Sequence, residues 1–104
     1  MGILCKIEQG SPHNTEDFVK ENLPRIGKLQ KVTHRRDQTK AFYETVFQGE
    51  KGSVMAVSGL GSGYVGAGPR AYERVLEHAG LSKEQINKHV FENTDKQFEE
   101  TVEF

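Results

Sequence analysis

The chain has 104 residues, with 35% hydrophobic, 9% aromatic and 28% charged side chains, a single cysteine and a formal net charge of -1. That length suits one domain, which buries roughly two thirds of its unfolded surface and needs neither metal nor disulfide to fold, so residues 1–104 read as a single domain. The near-neutral charge excludes a global field that gathers nucleic acid, the lone Cys5 excludes an internal disulfide, and no apolar run approaches the ~20 residues of a membrane span.

The opening MGILCKIEQG has no charged region followed by a long apolar stretch, as a signal peptide would. Lys6 stands where a myristoylation pattern requires Ser or Thr. The expectation is therefore a cytoplasmic protein without a membrane partner. Ile3, Cys5 and Ile7 alternate with their neighbours as in a first strand, which places Cys5 in the core. Gly10, Ser11 and Pro12 break the chain. Asn14, with Asp17 in the first turn, reads as the N-cap of a short helix with Phe18, Val19 and Leu23 inward, and Pro24 ends it. Residues 29–36 alternate weakly around Val32, and residues 41–47 are aromatic and β-branched, so Asp37, Gln38 and Thr39 suggest a hairpin.

A second turn, residues 49–52, leads to Val54, Met55, Ala56 and Val57, the composition of a central strand covered on both faces. Beyond a glycine-rich stretch, Tyr72, Val75, Leu76 and Ala79 mark an amphipathic helix, with Pro69 at its first position and Gly80 just past its end. Ser82 and Gln85 form a capping box for a further helix. Phe98, Glu100, Val102 and Phe104 alternate as a last strand or an extended tail. These elements predict an α+β fold: a small antiparallel sheet of three to five strands with two or three helices packed on one face. Six Phe and three Tyr are expected to dominate its core.

The most distinctive segment is the glycine-rich turn, residues 59–68, with five glycines in ten residues. Gly61 to Gly66 formally match G-x-G-x-x-G, but no acidic residue follows on a second strand, so a dinucleotide fold is rejected. A phosphate-binding Walker loop fails because no Lys lies between Lys51 and Lys83. The local chemistry still suggests an anion site, because unshielded backbone N–H groups feed directly into a helix N-terminus. Gly61, Ser62, Gly63, Tyr64, Gly66, Gly68 and Arg70 make up this candidate ligand site, and Arg35 and Arg36 reach it from a neighbouring strand or subunit. The competing structural reading is that the glycines allow a tight turn and close helix–sheet packing.

Two resemblances follow from these residues. The order of helix, three strands, glycine-rich turn and helix over residues 15–80 resembles a double-stranded RNA-binding domain. That family opens its second helix with a lysine cluster that grips phosphates. Here the position reads Gly68-Pro69-Arg70-Ala71-Tyr72, with only Arg70 and Arg74 basic, so the grip is missing. Gly66-Ala67-Gly68-Pro69 before an apolar helix is similar to a turn in the regulatory domain of isopropylmalate synthases.

No catalytic or metal set emerges. The four histidines, His13, His34, His78 and His89, lack metal spacing and read as surface or partly buried side chains. G-x-S-x-G is absent. The pattern argues for binding over catalysis, with no cofactor. The leading expectation is a non-catalytic protein that holds a small anionic, nucleotide-like ligand at the glycine-rich turn. The alternatives are a protein–protein module that regulates or inhibits a larger partner, and nucleic-acid binding through the basic hairpin, where Lys31, Arg35 and Arg36 neighbour Phe42 and Tyr43. The basic stretch 25–40 and the acidic stretch 92–103 suggest pairing by opposite charges, within one molecule or between two, and a homo-oligomer is expected.

Overall fold

A computed structural model describes residues 2–104. It shows an α+β fold with one five-stranded sheet in the order β1-β4-β3-β2-β5. The strands are β1 (Ile3–Glu8), β2 (Leu29–Asp37), β3 (Phe42–Gly49), β4 (Gly52–Val57) and β5 (Gln97–Glu103). The helices are α1 (Pro12–Asn22), α2 (Ala67–Ala79) and the short α3 (Lys83–Ile86), which runs into a π-helical segment, Asn87–Glu92.

The sheet is mixed, where the sequence suggests an antiparallel one. β1 runs parallel to β4, and every other pair is antiparallel. A parallel pair requires a long crossover. Here α1, β2 and β3 supply it, because they lie between β1 and β4 in the chain. The outer side of β2 is taken by β5, which leaves β1 the free edge of β4.

Side chains alternate across a sheet, and the register stacks the inward ones in rows. One row reads Cys5, Val54, Phe47, Val32 and Val102. The next reads Ile7, Ala56, Thr45, His34 and Glu100, and a third holds Tyr43, Arg36 and Phe98. Val19 of α1 and Tyr72, Val75 and Leu76 of α2 close over them as one core. Each fully buried Val or Leu contributes about 1.5–3 kcal/mol. The core is mainly aliphatic, contrary to expectation: Phe47 and Tyr72 are its only fully buried aromatics among the described residues, while Tyr64 and Phe104 are exposed. Phe42, Tyr43 and Phe98 lie near strand ends and Tyr64 in the turn, while Phe18 of α1 and Phe91 of the π-helical segment pack partly buried against the core.

Several local readings shift. Ser11, not Asn14, caps α1: its Oγ accepts from the Asn14 N–H at 3.1 Å. Pro12 suits the first turn because it has no N–H to satisfy. α2 begins at Ala67, so Pro69 sits within its first turn rather than at its start. Gly80 ends it in the left-handed region (φ 101°), and the Ser82–Gln85 capping box opens α3. β4 is not covered on both faces. Val54 and Ala56 point into the core, while Met55 and Val57 lie half-buried on the opposite side of the sheet.

α1 and α2 are bridged by Glu16, which accepts from Lys20 at 2.7 Å and from Arg74 at 2.8 Å. The Arg74 hydrogen bond is the main reason the Glu16 carboxyl falls to about 2.

Candidate functional site

The glycine-rich turn starts where Ser58 (φ 68°) and Gly59 (φ 83°) both enter the left-handed region. Gly59 packs against Thr15 of α1, and a β-carbon there would collide with it. Beyond that, the turn folds around its own Tyr64. A β-carbon on Gly61 or Gly68 would come within 2.9 or 2.8 Å of the Tyr64 hydroxyl, and one on Gly66 within 2.9 Å of its ring. The concavity expected to cradle an anion is thus lined by a tyrosine. With five glycines around it, Tyr64 is the ring-bearing residue able to fill that space.

The remaining candidate residues divide between places. Ser62, Gly63 and Arg36 do meet. Arg36 Nη1 donates to Ser62 Oγ at 2.8 Å, and a β-carbon on Gly63 would lie 2.7 Å from the guanidinium. Arg70 points elsewhere, donating to Glu73 at 3.0 Å with its guanidinium 5.0 Å from the Phe91 ring. Arg35 alternates to the opposite face of β2, between Glu44 (3.4 Å) and Glu99 (3.1 Å). The nine residues therefore do not line one pocket.

What they adjoin is a buried polar layer. His34 is fully buried, with Nδ1 2.7 Å from Thr45 Oγ1 and Nε2 2.7 Å from Ser62 Oγ. Its ring stacks on Tyr72 at 4.6 Å. Tyr72 Oη is 2.7 Å from His89 Nε2, and His89 Nδ1 is 2.6 Å from Glu100 Oε1. One arrangement of protons satisfies Arg36, Ser62 and both imidazoles together. Arg36 can only donate, so Ser62 accepts from it and turns its own hydrogen to His34 Nε2. His34 Nδ1–H then donates to Thr45. His89 likewise donates Nδ1–H to the Glu100 carboxylate and accepts from Tyr72. Burial pushes both imidazoles below their ordinary range, and for His34 the neighbouring His89 and Arg36 add to the effect. Burial also drives the Tyr72 hydroxyl well up.

Arg36 is only 2% exposed. Among the described residues, no carboxylate lies at hydrogen-bond distance from it. Nε donates to the Asp95 carbonyl at 2.9 Å, and Nη2 to Asn93 Oδ1 and the Asp95 carbonyl, both at 2.7 Å. Its guanidinium lies 4.5 Å from the Phe98 ring. This one side chain ties the glycine-rich turn to the segment that leads into β5. Loss of hydration lowers its affinity for its proton.

The basic and acidic stretches lie side by side. β2 and β5 pair so that Lys31 opposes Glu103 and Arg35 opposes Glu99. Pairing within one chain thus brings the acidic side chains of β5 beside the basic ones of β2.

A groove of about 580 Å³ opens where β2, β3 and β5 end, lined by Arg35, Arg36, Asp37, Lys40, Phe42, Gln97, Phe98 and Glu99. Ligand sites for small molecules fall in this size range. The Ala41 backbone is left-handed (φ 50°) and sets the hairpin that presents Lys40 and Phe42. The Thr39 hydroxyl holds the Asp37 carboxyl below its usual range. The sequence places basic residues beside Phe42. Gln97, Phe98 and Glu99 gave no local signal, because only the β2–β5 register brings them there.

Among the described residues, no three His, Cys, Asp or Glu side chains gather as a metal site, and no helix is long and apolar enough to cross a membrane. No protein-family model, curated protein or solved structure matches the chain.

Proposed function

We propose that the protein binds a small anionic ligand bearing a flat ring, of nucleotide-like chemistry, without transforming it. The observation that supports this most is the strand-end groove, where Arg35 and Lys40 stand beside the Phe42 ring. A phosphate or carboxylate would take Arg35 from its exposed pair with Glu99, a pair of the kind worth about 0–1 kcal/mol. Phe42 offers a face for a ring to stack on, and Gln97 offers an amide to its edge. Binding is favoured over catalysis because Ser62, Tyr72, His34 and His89 are engaged with one another inside the fold.

The test is a thermal-shift screen with nucleotides, aromatic phosphates and aromatic carboxylates, followed by calorimetry. A ligand at 100 times its Kd should stabilise the fold by about 2.7 kcal/mol. Lys40→Ala and Phe42→Ala should reduce the shift, to about 1.4 kcal/mol for a tenfold loss of affinity, and Gly66→Val, which displaces Tyr64, should retain it. Loss with Gly66→Val alone would return the site to the glycine-rich turn. No shift across the screen would end the ligand reading.

One observation favours a second reading, a protein–protein module. Val65 is 79% exposed beside Tyr64, itself 43% exposed, at the tip of the turn, and an exposed tyrosine is a residue type that anchors interfaces. A stoichiometric partner captured by the intact chain and lost with Val65→Asp would support it.

A further inference from the structure

A second proton on His34 would leave a donor of this layer without an acceptor. Protonated His34 would aim Nε2–H at a Ser62 oxygen that already accepts from Arg36, and Ser62 would lose the acceptor for its own hydrogen. It would also set a cation beside the Arg36 guanidinium, within 5.8 Å of His89. Protonated His89 keeps Glu100 as a partner, but Tyr72, fully buried, then has no acceptor for its hydroxyl. The groups facing the two rings are therefore Arg36 from β2, Tyr43 and Thr45 from β3, Ser62 from the turn, Tyr72 from α2, and Phe98 and Glu100 from β5.

β5, like β1, buries no side chain completely. Only Phe98 and Val102 of its side chains are partly buried. Its inward contacts run through the same polar layer: Glu100 to His89, Phe98 against His89 and Arg36, and the Arg36 clasp on the carbonyls of Asn93 and Asp95. When residues 93–103 lift away, His89 and Arg36 lose their cover and water reaches the histidine pair. Protons bind the lifted state and are refused by the closed one, so acid shifts the balance toward lifting.

We propose that His34 and His89 form a two-histidine proton switch whose charging releases residues 93–103 from the sheet. Released, β5 takes Gln97, Phe98 and Glu99 out of the groove wall. That consequence for ligand rests on the reading given above; the release itself does not.

Amide hydrogen exchange on the full chain without ligand tests the switch, at about pH 7.5, 6.5 and 5.5 and corrected for intrinsic exchange. Each histidine that charges only on release lowers protection by up to about tenfold per pH unit below its ordinary pKa, so two give up to about a hundredfold. The expected result is a loss of this order in β5 (Phe98 to Val102) while Phe47 of β3 and Val54 of β4 stay protected. His89→Gln should remove about half of the logarithmic slope. Should that variant fail to fold, imidazole titration by NMR in the native chain decides in its place. Protection in β5 that is independent of pH would overturn the switch, as would loss in step with β3 and β4. Either histidine titrating in its ordinary range while β5 stays protected would also overturn it. Ligand binding that fails at every pH would leave this outcome unaffected.

Discussion

The glycine-rich turn and the strand-end groove are two answers to the same question, where a charged ligand could sit on a small sheet. The turn has the more recognisable sequence, yet it closes on itself: Tyr64 covers its glycines, Thr15 packs on Gly59, and Ser62 turns inward to His34 and Arg36. The groove has no motif, yet it is open and joins cations to aromatic rings. Glycine removes side chains from a surface, and the chain uses that freedom for close packing as readily as for ligand approach. Arg36 belongs to both regions, which makes it the place to begin breaking the comparison.

Arg36→Met should have the largest effect. It leaves the carbonyls of Asn93 and Asp95 and the Ser62 hydroxyl without their donor. Loss of a buried hydrogen-bonded charge costs about 3–5 kcal/mol, although here the partners left behind are dipoles, which puts the expectation at the lower end. Urea denaturation measures it, and a loss under about 1 kcal/mol would mean that the turn and β5 are held independently.

Glu16→Gln comes next and acts on the turn side, where α1 and α2 meet. After allowance for the half-exposed Arg74, the expected loss is about 1–2 kcal/mol near neutral pH. The sign follows from a depressed carboxyl. Its contribution is fully present above the ordinary value of 4.5 and disappears as pH falls toward about 2. Native chain and variant should therefore converge in stability in strong acid, and parallel curves down to the lowest pH would contradict the bridge.

Tyr64→Ala should cost less, about 1 kcal/mol, because the ring is 43% exposed. It should leave ligand affinity in the groove unchanged. Lys40→Ala reverses that pattern. Lys40 is exposed and its removal should change stability by less than about 0.5 kcal/mol, while ligand affinity falls about tenfold, or 1.4 kcal/mol. Equal effects of both substitutions on affinity would merge the two regions into one site.

Much of this was readable along the chain. The α+β class, the hairpin at residues 37–39, the stripe of Tyr72, Val75 and Leu76, the Ser82–Gln85 box and the alternation of β5 are local patterns, set by periodicity and capping within a few residues. Part of the polar layer was legible too, since Val32, His34 and Arg36 share one strand face. Hydropathy alone assigns two polar residues in that position to solvent, and only the cover supplied by α2 and the π-helical segment reverses it. His89 and Glu100 lie eleven residues apart, on a π-helical segment and a strand, and no spacing rule joins them.

The sequence by itself thus determined most of the helices and strands, with the last segment left between strand and tail, because those preferences come from neighbours in the chain. Tertiary structure decided that β1 runs parallel to β4, that the acidic end pairs with the basic strand of the same chain, and that Arg36 is buried among carbonyls. It also decided that the glycine-rich turn is filled while the groove stays open. These depend on contacts between residues distant in sequence, where burial and hydrogen-bond satisfaction, not local propensity, select the arrangement.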